Sequence, residues 1–120
     1  MFKKFYKSNK EKKLVSDKMY LLDINQVHEL LNLSTQKPVL IFKHSTRCGI
    51  SRMVLMRFEK QLDEKYNSSF YLLDVLKHRN ISNFIAEKFK IRHESPQLIV
   101  LKDKKVLMHD SHNGILGMKW

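Results

Sequence analysis

The sequence has few of the features that secreted or membrane proteins need. It contains a single cysteine, Cys48, in 120 residues. One sulfur excludes an intramolecular disulfide and a cysteine-based metal site within one chain, and a lone thiol fits a reducing compartment. No run of 18 or more apolar residues occurs, so we expect no membrane span. The basic N-terminus is followed by neither an apolar stretch nor a small-residue cleavage site, so we expect a cytoplasmic protein.

Acidic residues are also scarce, with 12 Asp and Glu against 23 Lys and Arg, which gives a net charge of +11. Such an excess attracts nucleic acid, anionic membranes or small anionic ligands. Six lysines and one glutamate fall within the first thirteen residues, whereas the other basic residues are scattered. No Arg/Gly run, zinc-finger spacing or aromatic-rich RNA-binding pattern is present. We therefore expect a solvated basic surface, with nucleic acid not favoured as a partner.

The chain length and apolar content fit one folded domain. At 120 residues and 42% apolar residues, the chain supports one hydrophobic core and not two. We predict a basic flexible tail over residues 1–17 and a single domain over residues 18–120.

Alternating apolar and amphipathic segments predict the secondary structure. Asp23 is a predicted helix N-cap, with Gln26 three residues later as in a capping box. The continuous apolar run from Pro38 to Phe42 is typical of a strand buried on both faces. In chain order we predict a short strand or lead-in at 19–22, a helix from 23 to about 33, a strand at 38–42, a helix at 50–66, a strand at 70–75, a helix at 81–89, and strands at 97–101 and 105–108.

This (β)αβαβαββ order predicts an α/β fold with a mixed sheet flanked by helices. Alternating strands and helices imply parallel strands with crossover helices, and the last two strands form an antiparallel hairpin. Thioredoxin-like domains have this order and normally end with a helix packed on the sheet. Here only residues 115–120 remain, so the final helix is predicted to be short or missing.

Cys48 is the strongest candidate for chemistry because it follows a buried strand and directly precedes an amphipathic helix. Unpaired backbone N–H groups and the helix dipole favour the thiolate there, and Arg47 adds positive charge. The neighbours of Cys48 are polar or small, which predicts an accessible site; they are Ser45, Thr46, Arg47, Gly49 and Ser51. The alternative is a buried and inert cysteine.

Two further side chains accompany Cys48. Ser51 completes a C-x-x-S pattern, in which serine cannot resolve a disulfide. Its hydroxyl either hydrogen-bonds the thiolate one helical turn away or only caps the helix, and the sequence leaves both open. His44 precedes the cysteine and is a candidate polarising neighbour. The six histidines show no helical H-x-x-x-H pair, so we predict no metal site.

Three separate motifs carry a resemblance to a known family. These are Phe42-Lys-His-Ser-Thr-Arg-Cys-Gly-Ile-Ser51, His93-Glu-Ser-Pro-Gln-Leu98 and Ser111-His-Asn-Gly-Ile115. Together they closely resemble the bacilliredoxin C (YtxJ) family, monothiol thioredoxin-like proteins of bacteria. The resemblance implies that Cys48 is the nucleophile and that Pro96 is a cis-proline. It also implies a thiol-binding groove at Thr46, Ser95 and Pro96. The family often has proline where this chain has Gly49.

The resemblance also implies a reaction. A monothiol thiol-disulfide oxidoreductase removes a low-molecular-weight thiol, of the bacillithiol type, from mixed disulfides on client proteins. The partners are then S-thiolated clients and a small anionic thiol as co-substrate, with no tightly bound cofactor. Arg47 and nearby lysines are expected to bind the carboxylates of that thiol. Two alternatives stay open: a dimeric module holding a [2Fe–2S] cluster through one Cys48 per chain and two external thiols, and a basic adaptor acting through residues 1–13.

Overall fold

A computed structural model of the protein describes residues 18–62 and 67–120, and it follows the predicted order of elements. The predicted tail at 1–17 lies outside the described residues, as does Tyr66 at the predicted end of the second helix. Within the described ranges, no helix has the length and apolar character needed to cross a bilayer. The elements are β1 (Met19–Tyr20), α1 (Gln26–Leu33), β2 (Val39–His44), α2 (Gly49–Gln61), β3 (Ser69–Asp74), α3 (Arg79–Phe89), β4 (Gln97–Lys102), β5 (Lys105–Ser111) and a 3-10 helix (His112–Gly117).

The helix α1 begins at Gln26 with Asn25 as its N-cap, so the prediction of Asp23 as the N-cap residue was wrong. Asp23 and Gln26 instead pair within the turn that leads into the helix. The Asp23 carboxylate accepts a hydrogen bond from the Asn25 N–H at 3.0 Å. The Gln26 amide oxygen accepts from the Asp23 N–H at 2.9 Å and from the Leu22 N–H at 2.6 Å. These reciprocal bonds have the form of a capping box, but they satisfy N–H groups of the turn that precedes the helix and not those of its first turn.

The five strands form one mixed sheet in the order β1-β3-β2-β4-β5. β3 pairs in parallel with both β1 and β2, whereas β4 pairs antiparallel with β2 and with β5. The predicted mixed sheet and the terminal hairpin are confirmed. The expectation that β4 would continue the parallel arrangement was wrong.

The direction of β4 follows from a reversal of the chain after α3. The helix ends at Lys90, which adopts a left-handed conformation (φ 57°), and the Ile91 N–H bonds back to the Ala86 carbonyl at 3.1 Å. The chain then doubles back, because His93 lies against Ser82 in the first half of α3. β4 therefore starts at the edge of the sheet where β2 ends, and it runs in the opposite direction.

The core lies on both faces of the sheet. On one face, α1 and α3 pack against buried aliphatic side chains such as Ile41, Leu73 and Ile99. On the other face, α2 and the 3-10 helix cover an aromatic group. Within that group the ring of Phe58 lies 5.8 Å from that of Phe42, 5.7 Å from that of Phe70 and 6.4 Å from that of Trp120.

After β5 comes a short 3-10 helix at His112–Gly117, which agrees with the prediction of a short or missing final helix. β5 extends to Ser111, three residues beyond its predicted end. The Asp110 carboxylate lies close to the 3-10 helix, and a Cβ at Gly114 would lie 2.5 Å from its Oδ1 atom, so a side chain at position 114 would displace that carboxylate.

Replacing Phe58 by alanine should destabilise the domain by about 3–5 kcal/mol, because the ring is buried among three other aromatic rings and its loss leaves a cavity. The free energy of unfolding in urea measures this effect. Met56→Ala is the matched control on the same helix, since Met56 is 52% exposed. Equal losses for the two variants would contradict this account of the core.

Candidate active site

Cys48 lies at the N-terminus of α2, a helix of 13 residues, and the residue is partly exposed. Its backbone is extended, with φ −101° and ψ 121°, which makes it the N-cap residue. Its carbonyl accepts the Arg52 N–H at 3.0 Å, and its own N–H donates to the Ser45 carbonyl at 3.2 Å. The first turn of the helix carries no acidic residue. The backbone N–H groups of the first helical turn and the positive end of the helix dipole therefore face the side of the helix where Cys48 lies.

The turn before Cys48 is open to solvent. Thr46, Arg47 and Gly49 are all exposed, as the sequence predicts. The Arg52 guanidinium donates to the Thr46 carbonyl at 3.2 Å and so fastens the turn to the helix. A Cβ at Gly49 would meet no atom within 4 Å. A partner molecule can therefore approach the sulfur from this side.

Ser51 and His44 form a buried link between α2 and β2. The Ser51 side chain is fully buried and His44 is only 6% exposed. The Ser51 Oγ and His44 Nδ1 atoms share a hydrogen bond of 2.7 Å, and the same hydroxyl oxygen accepts the Ser45 N–H at 3.1 Å. Ser51 thus holds the first turn of α2 on the end of β2. Its support of the Cys48 thiolate stays a prediction.

Burial lowers the pKa of His44 from its ordinary value, and the charges of Lys18 and Arg52 lower it further. Asp74 and Glu59 act in the opposite direction. Because burial is the largest of these effects, the imidazole is neutral at pH 7 and takes part in the Ser51 hydrogen bond in that form.

The second wall of the site is the segment that leads into β4. The Ser95–Pro96 peptide bond is cis, as the resemblance implied. In the antiparallel pairing of β2 and β4, Lys43 lies opposite Gln97, so Pro96 lies beside His44 at the edge where the Cys48 turn begins. The predicted groove residues therefore lie on two facing segments, with Thr46 on one and Ser95 and Pro96 on the other.

Lys43 is a buried residue of the site region that the sequence interpretation missed. It is 0% exposed. Its ammonium donates to the Ser82 carbonyl at 3.2 Å and to His93 Nδ1 at 3.3 Å. Burial lowers the pKa of Lys43 to about 8. The predicted strand ended at Phe42, whereas β2 includes Lys43 and His44. The sequence did contain a signal for this burial, because Lys43 follows Val39 and Ile41 at alternate positions and so lies on the same face of the strand.

No group of three or more His, Cys, Asp or Glu side chains converges on a metal-sized position anywhere in ranges 18–62 and 67–120. His109 and His112 are exposed and line a cleft of about 300 Å³ together with Arg92 and Gln97.

The fold and the cysteine at a helix N-terminus define a thioredoxin-fold protein with one candidate redox sulfur. Residues 19–119 match the family model described as monothiol bacilliredoxin BrxC, and the chain belongs to that family. The match covers the whole sheet and all of the helices described above.

Solved structures support the same fold. A protein described as a proposed oxidoreductase with a thioredoxin fold is 27% identical over 88% of this chain and 92% of its own, with a TM-score of 0.75. Thioredoxin from Malassezia sympodialis is 22% identical over 80% and 79% of the two chains, with a TM-score of 0.63. Spinach chloroplast thioredoxin F is 18% identical over 88% and 83%, with a TM-score of 0.64. Family and fold together support a thiol-disulfide redox role.

The neutral state of His44 predicts a specific loss of stability in acid. A histidine whose folded pKa lies below its unfolded value of about 6.5 binds fewer protons in the folded state. The stability that this neutral histidine contributes to the folded state is complete above pH 6.5, and it is lost as the pH falls through the folded pKa. His93, whose pKa is also lowered, adds to the effect. We expect the free energy of unfolding in urea to fall between pH 7 and pH 5, by at most about 1.4 kcal/mol per pH unit for each proton.

His44→Asn should show a weaker pH dependence, because one of the two depressed histidines is gone. His28→Asn makes the same change at an exposed position of α1 and should keep the dependence of the wild type. An identical dependence in all three proteins would contradict a neutral, buried His44.

Proposed function

We propose that this protein removes a small anionic thiol, of the bacillithiol type, from mixed disulfides on client proteins, with Cys48 as the nucleophile. The observation that carries the proposal is the single, partly exposed cysteine at the N-terminus of α2 in a chain of the monothiol bacilliredoxin family. We place this reaction in the cytoplasm, where a lone thiol stays reduced.

The reaction proceeds in two exchanges. The Cys48 thiolate attacks the small-thiol sulfur of the mixed disulfide, a new sulfur–sulfur bond forms, and the client leaves as its thiolate. Cys48 then carries the small thiol. Because the chain has no second cysteine, another small thiolate attacks the sulfur of the bound small thiol. Cys48 leaves as the thiolate, and the two small thiols depart as their disulfide.

Positive charge near the sulfur favours a small thiol that carries carboxylates. Arg47 lies next to Cys48, and the Arg52 guanidinium lies at the carbonyl of Thr46. Beside the turn, Thr46, Lys77 and His78 line a cleft of about 370 Å³. Cationic side chains on both sides of the turn would attract an anionic thiol and stabilise its carboxylates.

The client protein requires an open surface next to the sulfur. Gly49 is exposed, and Ile50 is 54% exposed, directly after Cys48. An exposed isoleucine beside a reactive sulfur gives the client an apolar contact without blocking access.

Cys48→Ser should abolish removal of the small thiol, because serine cannot form the sulfur–sulfur bond of the intermediate. The measurement follows a model client carrying one bacillithiol in mixed disulfide, with release of the client thiol detected by intact-protein mass. Wild-type protein sampled during turnover should gain the mass of one small thiol on Cys48. The same assay with glutathione in place of bacillithiol tests the choice of thiol.

Arg57→Gln serves as the matched control, since it removes a cation from α2 at an exposed position away from the turn. It should retain activity. A wild-type protein that neither releases the client nor gains the adduct would overturn the proposal. Visible absorbance after anaerobic purification would instead favour the iron-sulfur alternative.

A further inference from the structure

We propose that Lys43 is a positioning residue for thiol exchange: its buried side chain anchors the groove loop, residues 91–96, to the end of β2. The groove loop joins α3 to β4 and contains the predicted groove residues Ser95 and Pro96. The kinetic part of this inference rests on the proposed function of Cys48. The anchoring itself is a separate property that can be measured without activity.

The contacts of Lys43 connect three parts of the chain. Lys43 lies in β2, and its ammonium reaches the Ser82 carbonyl in α3 at 3.2 Å and His93 Nδ1 in the groove loop at 3.3 Å. The partners are 39 and 50 residues away in sequence. The Lys43 ammonium thus holds the first half of α3 and the middle of the groove loop together.

The protonation states that suit this arrangement are a charged Lys43 and a neutral His93. A lysine ammonium has only donors, so His93 Nδ1 must accept and the ring proton lies on Nε2. The Ser82 hydroxyl lies 2.9 Å from the same nitrogen. Burial, then the charge of Lys43, then that of Arg79 lower the pKa of His93, while Glu94 acts in the opposite direction. With its own pKa near 8, Lys43 is mostly protonated at neutral pH.

The other groups beside Lys43 do not compensate its charge. In the sheet its neighbours are Leu73 on β3 and Gln97 on β4, both uncharged. Among the described residues no carboxylate forms an ion pair with it. A buried ammonium without a counter-ion lowers stability relative to an apolar side chain of similar size. The buried charge therefore lowers the stability of the fold. Its role is the hydrogen bond between Lys43 and the groove loop.

The position of His93 connects this contact to the groove. His93 is two residues before Ser95 and three before Pro96. The Gln97 amide holds the start of the loop through the Arg92 carbonyl at 2.9 Å. Without Lys43, His93 would keep only its hydrogen bond with the Ser82 hydroxyl. The groove wall opposite Cys48 would then shift. Small displacements of a binding wall lower exchange rates strongly.

Lys43→Met is the first test, because methionine keeps much of the side-chain length and removes the charge and the donors. Amide hydrogen exchange of residues 92–95 should become faster. The His93 titration, followed by NMR of its ring, should move to higher pH, since the repulsion from Lys43 is lost. Lys88→Met is the matched control: it removes a lysine from the exposed side of α3 and should change neither measurement.

The kinetic test uses the same pair of variants in the bacillithiol assay. Lys43→Met should lower kcat/KM on the order of ten-fold. Alkylation of Cys48 by iodoacetamide, which needs no groove, should stay at the wild-type rate. The urea midpoint at pH 7 should stay equal or rise. His93→Asn, whose side-chain oxygen can accept from Lys43, should retain more activity than His93→Leu.

The outcomes separate the two proposals. Unchanged loop exchange and unchanged His93 titration in Lys43→Met would overturn the anchoring, whatever the activity. A looser loop with an unchanged kcat/KM, or a loss matched by lower stability and slower alkylation, would overturn the positioning role. An inactive wild-type protein would overturn the proposed function. The anchoring would then be judged on amide exchange and the His93 titration alone.

Discussion

The burial of two consecutive ionisable side chains at the end of β2, Lys43 and His44, determines the geometry of the site. Successive residues of a strand point to opposite faces of the sheet. His44 therefore reaches Ser51 at the start of α2, whereas Lys43 reaches His93 in the groove loop. One wall of the site carries Cys48 and the other carries Pro96. Their separation is set by the end of a single central strand, which is fully covered on both faces.

This arrangement depends on the hydrophobic core. Burying His44 in its neutral form and Lys43 as a cation both cost free energy, and only their hydrogen bonds offset it locally. The remaining cost in free energy is offset by the burial of the neighbouring apolar clusters, in which Ile41 and Phe42 are fully buried on opposite faces of the sheet. The same strand thus provides core packing at its beginning and polar anchors at its end. The side chains of the strand change from apolar to polar at the point where the chain leaves the sheet for the Cys48 turn.

The sequence predicted those parts of the fold that are encoded locally. Three such features depend on residues close together in the chain: the pairing of Asp23 with Gln26 before α1, the hairpin of β4 and β5, and the position of Cys48 before a helix. The direction of β4 was mispredicted because it depends on contacts between the groove loop, α3 and β2. The resemblance, and not the residue pattern, predicted the cis bond before Pro96. Lys43 was overlooked for the same reason as the direction of β4, since its partners lie 39 and 50 residues away.

The same packing accounts for the monothiol character of the site. In a dithiol protein the position three residues after the nucleophile holds the resolving cysteine. Here that position is Ser51, which is fully buried and makes two hydrogen bonds, to His44 and to the Ser45 N–H. A thiol is a weak donor and a weak acceptor, so a cysteine at position 51 would satisfy both partners poorly and would loosen the link between α2 and β2. The serine therefore has a structural role that a resolving cysteine does not fulfil well. In the proposed reaction, a second molecule must therefore release the thiol bound to Cys48, and the exposed turn at Thr46 and Arg47 would give it access.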